Sequence, residues 1–309
     1  MIASFYCLLL LAQVSSAEAE VRRLPPIAQA EEWQPAQQTI SSPPTTEYFD
    51  AGWDEPIQLP ATSLNFAWLA GGNGNAFGMV DADLHHTWLL GYSDGAPLEI
   101  TPGLGYHAWS GPRGLDLPGQ VYDVYLDLHW RPIERERWGL SLGLTPGFYG
   151  DFESVDGDTF QLTGWALANY RLNEQWNVLG GLAYVRQLQS NLLPIGGVVW
   201  TPNDDLRLEL VVPRPRFVRR FLQDEHGSTW WFIGGQLGGG AWAVADTPDD
   251  NVLVSYSDLR LLLGIESFAL NGREWSVALG YAFNREIAID NYIVETPEST
   301  FLLQGSVAF

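Results

Sequence analysis

The chain has 309 residues, 37 acidic against 16 basic side chains, a formal net charge of -21, 13% aromatics and one cysteine. That aromatic content excludes a disordered chain, one cysteine excludes a disulfide scaffold, and the acidic balance argues against nucleic acid as a partner. All 16 cations are arginine, and beyond the first residues no apolar run reaches the roughly 18 residues of a membrane helix.

Residues 1–19 read as a signal peptide: an apolar stretch through Leu8–Leu11 runs into the small residues Ser15, Ser16, Ala17 and Ala19. It contains Cys7, so the mature chain is expected to lack cysteine. Residues 20–61 hold seven prolines among Ala, Gln, Ser and Thr and no sustained period, and read as a flexible arm.

From residue 62 to 309 the pattern changes to period 2. Runs are expected near 64–70, 76–92, 97–109, 119–132, 136–150, 158–172, 175–189, 191–201, 204–213, 228–243, 251–269, 273–287 and 298–309. Trp138, Leu140, Leu142, Leu144, Pro146 and Phe148 share one parity, against Gly139, Ser141, Gly143, Thr145 and Gly147. The runs are about twice as long as the five or six residues usual in a soluble sandwich, and they match the roughly 9–11 residues of a strand tilted across a bilayer. The expected fold is all-β: an antiparallel, up-and-down transmembrane β-barrel, apolar outside and polar or small inside. Trp88, Trp109, Trp130, Trp138, Trp176, Trp200, Trp230, Trp231 and Trp275 fall near run ends, as interfacial girdles would.

Bacterial barrels have an even number of strands. Assigning 64–70 to the arm gives about 12. The topology then conflicts: with Phe309 and the Asn271-Gly272 turn at one end, the short turns at 172–175 and 201–205 fall at the other. One strand is misread, and the suspect segment is Pro213–Arg220. In the last run Phe301, Leu303, Gly305, Val307 and Phe309 share a face. This alternation resembles the terminal signal read by outer-membrane assembly machinery.

The phrases Leu193-Pro-Ile-Gly-Gly-Val-Val-Trp-Thr-Pro202, Val212-Pro-Arg-Pro-Arg216, Gly234-Gly-Gln-Leu-Gly-Gly-Gly-Ala-Trp242, Tyr256-Ser-Asp-Leu-Arg260 and Gly280-Tyr-Ala-Phe-Asn-Arg285, with Pro146-Gly-Phe-Tyr-Gly-Asp-Phe152 upstream, carry a resemblance. The chain resembles, over roughly 62–309, an uncharacterised domain-of-unknown-function family of planctomycete-type bacteria. The resemblance implies an outer-membrane barrel and no particular activity.

The inward parity collects Asp81, Asp83, His85, Glu99, His107, Asp123, Asp127, His129, Arg131, Arg207, Glu209, Arg260, Glu266 and Glu274. Two arrangements share this pattern: a charged lumen selecting small solutes, and an ion-pair network plugging a narrow barrel. Asp83 with His85, and Asp127 with His129, are the pairs a rim hydrolase would use. No Gly-x-Ser-x-Gly elbow or linked nucleophile accompanies them, so no enzyme is expected. His85 and His86 point to opposite faces and make no metal pair. Arg214, Arg216, Arg219 and Arg220 are the one basic cluster, a candidate contact for phosphate groups. The plainer reading, a solvated connection balancing Asp224 and Glu225, is preferred. The Gly234–Gly240 tract lacks the Lys-Ser/Thr and helix of a phosphate loop and reads as a close-packed strand.

The expected function is passage of small solutes through an exported outer-membrane barrel without cofactor or metal. Its partners are outer-membrane lipid and the assembly machinery, and the acidic excess favours cations. The alternative is a closed structural or adhesive barrel acting through loops such as 288–299.

Overall fold

A computed structural model describes residues 61–309 apart from 72–75, 91–97, 113, 135–136, 156, 186–191, 248–249, 270–271 and 291. The expected signal peptide and proline-rich arm lie outside the described residues, as does Asn271 of the expected turn.

Among the described residues fifteen strands form one sheet, antiparallel but for a single bridge between β-strands across the lumen. They are β1 (Ala61–Leu69), β2 (Gly78–Leu90), β3 (Leu98–Ser110), β4 (Gln120–Glu134), β5 (Trp138–Gly150), β6 (Phe160–Arg171), β7 (Trp176–Tyr184), β8 (Leu192–Asn203), β9 (Leu206–Val212), β10 (Arg216–Asp224), β11 (Gly227–Thr247), β12 (Asp250–Ala269), β13 (Glu274–Ile289), β14 (Tyr292–Glu295) and β15 (Thr300–Ala308). Each pairs with its neighbour in the chain, except that β15 pairs with β13 and then with β1, which closes the cylinder. Fourteen strands make the wall, and β14 is a short addition to β13.

This corrects the expected twelve. The run at 64–70 is no arm: β1 is the closing strand, and Ser63 to Leu69 pair with β15 in unbroken register. The suspect segment is β10, which pairs with both β9 and β11. Its period 2 is disguised by arginine, which occurs on both faces. Val218 is buried on the inward parity with Arg216, while Phe217, Arg219 and Phe221 take the other. With this strand restored, both ends of the wall lie at one end of the barrel, where Thr62 and Phe309 exchange backbone hydrogen bonds. The turns at 172–175, 204–205 and 225–226 and the link from β12 to β13 fall at this terminal end. Asn173, Asn203 and Asp224 close three of them by accepting hydrogen bonds from backbone N–H groups two or three residues on. The longer links from β1 to β2, β3 to β4, β5 to β6 and β13 to β15 fall at the opposite, loop end.

Along the regular stretches of the strands alternate side chains point outward. Leu64, Phe66, Leu84, Leu104, Leu144, Leu162, Leu182, Leu261, Leu263, Val277 and Leu279 form an exposed apolar belt around the barrel. Aromatic pairs rim it. Trp138 with Tyr170 and Trp176 with Trp200 lie at the terminal end, and Phe148 with Phe160 and Tyr281 with Phe301 at the loop end. Phe301, Val307 and Phe309 are exposed on this outer parity with half-buried Leu303. Two tryptophans expected in the girdles are elsewhere: Trp109 and Trp230 are buried on the inward parity of β3 and β11. Position near a run end placed them correctly along the barrel, but parity sets the face.

Candidate functional site

The inside of the barrel is where the titratable groups meet. From β2, β3 and β4 one wall presents Asp81, Asp83, His85, Glu99, His107, Asp123, Asp127, His129 and Arg131. Toward the terminal end these groups are partly accessible. Asp83 accepts hydrogen bonds from Asn65 and Tyr125 and lies 2.8 Å from His85 Nδ1. Glu99 binds Arg131 at 2.6 Å and His129 at 3.3 Å, and Thr145 donates to Asp127. Toward the loop end the wall is sealed. His107 Nδ1 is 2.7 Å from Asp81 Oδ1 and its Nε2 is 2.9 Å from Asp123 Oδ2, all three side chains being nearly inaccessible.

Across the barrel, β9 supplies the pair Arg207–Glu209 at 2.8 Å. Arg216 of β10 reaches Glu266 of β12 at 2.7 Å, and Asp258 and Arg260 bond within β12 at 2.7 Å. Glu274 lies half-buried at the terminal rim. The four arginines of the expected basic cluster do not form one patch. Arg214 and Arg216 are buried, Arg219 is exposed on the outer face, and Arg220 binds Asp205 at the terminal end. A strand disperses what a solvated loop would have kept together. The inward face is also not uniformly polar. On β6 to β8 it holds Trp165, Leu167, Leu179, Ala183, Ile195 and Val199, all buried in one apolar cluster. Both parities of β7 and β8 are apolar, so alternation could not reveal it.

The feature that closes the site comes from β11 and β12, which are 21 and 20 residues long. Their loop-end halves run on past the end of β10, still paired with each other and, through β12, with β13 as far as Val254 and Ile289, and cross the lumen to β5 and β6. Ala243 bridges Gly150 in parallel, and Asp151 N–H donates to the Ala243 carbonyl at 3.1 Å. Asp151 accepts in turn from Ala245 N–H, Gln161 donates to the Ala241 carbonyl, and Asn251 donates to the Ser154 carbonyl. Any side chain at Gly150 would collide with the Ala243 carbonyl oxygen, so glycine is needed there for the crossing. Trp242 is 0% exposed, packs on Trp109 and His107, and donates Nε1–H to Asp123 Oδ1 at 2.8 Å. Phe77, Val244, Val254 and Tyr256 complete this plug.

Trp242, Tyr256, Asp258 and Arg285 were not foreseen as site residues. Excess strand length was the available signal for the first three: twenty residues exceed what a crossing needs. Arg285 was hidden by a bulge. Asn284 has φ 49°, and the β12–β13 register shifts there, which reverses the parity beyond it. Arg285 thereby turns inward and donates to Tyr256 Oη and the carbonyls of Phe77 and Glu298. The same strand and β14 occupy much of 288–299, which is no simple loop.

His107 has both ring nitrogens engaged by carboxylates, which leaves neither free to act as a base. Among the described residues no group of three or more His, Cys, Asp or Glu side chains is arranged to hold a metal ion.

No family model matches the chain, so the resemblance to a domain-of-unknown-function family finds no support there. No curated protein matches it either. Solved structures of similar form include an outer membrane channel from Pseudomonas putida F1, with 13% identity, 82% of this chain and 95% of that one covered, and a TM-score of 0.44. A bacterial polysaccharide outer membrane secretin has 10% identity, coverage of 82% and 99%, and a TM-score of 0.43. LpxR from Salmonella typhimurium has 10% identity, coverage of 81% and 99%, and a TM-score of 0.40. Likeness at this level is one of gross form, and no conclusion about function is taken from it.

Proposed function

We propose that the protein is an exported outer-membrane channel for small solutes, held closed in this structure by the β11–β12 tip. The observation that carries this reading is the tip itself. Side chains alone fill a barrel of about eight strands, whereas barrels of about 16 to 18 enclose an aqueous channel. A wall of fourteen strands is wider than side chains fill, and its loop-end half is occupied by a folded-in hairpin. The exposed apolar belt and its aromatic rims support a lipid surround, with the short turns periplasmic and the longer connections outside. In this reading residues 1–19 are cleaved on export, and Phe301, Leu303, Val307 and Phe309 serve both the lipid contact and recognition by the assembly machinery. The histidine–carboxylate pairs are structural, and the protein is not an enzyme.

The test is planar-bilayer conductance. Ala241 and Ser255 are direct partners, so residues 242–254 can be replaced by Asn-Gly to give a two-residue hairpin. Wild-type protein is expected to open rarely, and the shortened variant to conduct steadily. A second reading, a permanently closed barrel acting through its outer loops, is favoured by the extent of the buried network. A folded, shortened variant that does not conduct would decide for it.

A further inference from the structure

Beside its backbone bonds to β5 and β6, the tip meets the wall at a buried carboxylate with two partners. Asp123 takes Trp242 Nε1–H on Oδ1 and faces His107 Nε2 with Oδ2. His107 Nδ1 faces Asp81 in the same way. Ionised carboxylates only accept hydrogen bonds, and an imidazole donates from both nitrogens only as the imidazolium. The ring therefore makes both bonds with two protons on it, and with one proton a lone pair opposes a carboxylate oxygen. The charged groups around it are Asp81 from β2, Asp123 from β4 and Arg260 from β12. Arg260 is within Coulombic reach of Asp81 and bonded to Asp258, which also accepts from Tyr256. Trp242 of β11 and Ala67 of β1, which opposes Asp81, are uncharged.

We infer that His107 is a proton-operated latch on the tip: when the ring loses its second proton, the tip is released. This rests on reading the tip as the closure of a channel. Loss of that proton adds a negative charge to a sealed cluster, and an uncompensated buried charge is costly until water reaches it. Where the proton lost is the one on Nε2, Asp123 also loses the partner that fixes its orientation toward Trp242. The tip is what separates this cluster from the loop end, so hydration of the cluster and departure of the tip are one event.

The experiment measures tip exposure directly. Ala243→Cys is introduced in a Cys7→Ser background, the full chain is folded into lipid vesicles, and labelling by an impermeant methanethiosulfonate is followed between pH 7 and pH 10. Rates are divided by those of Val155→Cys, a position 63% exposed on a loop-end connection, which removes the thiol's own pH dependence. The ratio is expected to rise about tenfold on alkalisation, within the range usual for coupled equilibria. It is expected to stay flat in His107→Gln. Trp242→Phe, which keeps a ring but has no donor for Asp123, is expected to start high and respond little. A flat wild-type ratio, or the same rise in His107→Gln, overturns the latch. Where His107→Gln does not fold, as judged by gel mobility before and after boiling, the wild-type profile and Trp242→Phe decide. Labelling that follows pH without conductance keeps the latch and removes the channel; conductance with flat labelling does the reverse.

Discussion

Arg216 and Glu266 pair inside the wall, and Glu266 is 0% exposed. Removing one partner takes this contact from a charge that stays buried, a change that costs about 3–5 kcal/mol in buried pairs, whereas an apolar pair of similar volume is often neutral. Arg216→Ala is therefore expected to lower the denaturant midpoint of the folded gel band sharply, and Arg216→Met with Glu266→Leu to recover most of the loss. Trp242→Ala removes a fully buried ring, a change worth about 3–5 kcal/mol in a packed core. Here the cost falls on the seating of the tip, so conductance should rise while the wall keeps its resistance to detergent. Individual residues were unevenly legible. Parity placed Asp81, Asp123 and Glu266 inside, but the pairing of His107 with two carboxylates joins three strands and is invisible in any one of them. Arg285 was lost because the bulge at Asn284 reverses the alternation on which the reading depended.

Strands were legible wherever one face is apolar and the other is not. β5 meets that condition along its length, and β13 does as far as Asn284. β10 does not, because it places arginine on both faces, and its omission left the turns at 172–175 and 204–205 apparently misplaced. Within the suspect segment Pro213–Arg220, only 213–215 connect β9 to β10, and from Arg216 the chain is strand. For β1 the alternation marks only 64–70, too short for a crossing, whereas its pairing with β15 and β2 extends the strand to the nine residues Ala61–Leu69. The faces differ in what they tolerate. Leu279 is 66% exposed on the outer face of β13. In a bilayer, arginine at mid-depth on that face costs about 2–4 kcal/mol. Leu279→Arg is expected to destabilise by that amount in lipid unfolding titrations and Arg219→Leu to be neutral or better. A soluble barrel would show neither effect.

For the whole molecule, boiling should shift the gel mobility of protein recovered from the membrane fraction; recovery in the soluble fraction would remove the lipid-embedded reading. Ion selectivity belongs to this scale too. The net charge of -21 led to an expectation of an acidic lumen, yet the acidic wall of β2–β4 stands across from Arg207, Arg214 and Arg216. The shortened variant is therefore expected to show only a modest cation preference in a salt gradient, and a strong anion preference would contradict the arrangement of walls. The sequence by itself determined the class of fold, the face of most residues and the segment where the strand count was in error, because alternation is a local property with a period of two residues. Only the tertiary structure decided the fourteen-strand closure, the apolar inner wall and the crossing of the lumen by β11 and β12. Those depend on which strands meet across the cylinder, and Gly150 and Ala243 lie far apart in the chain.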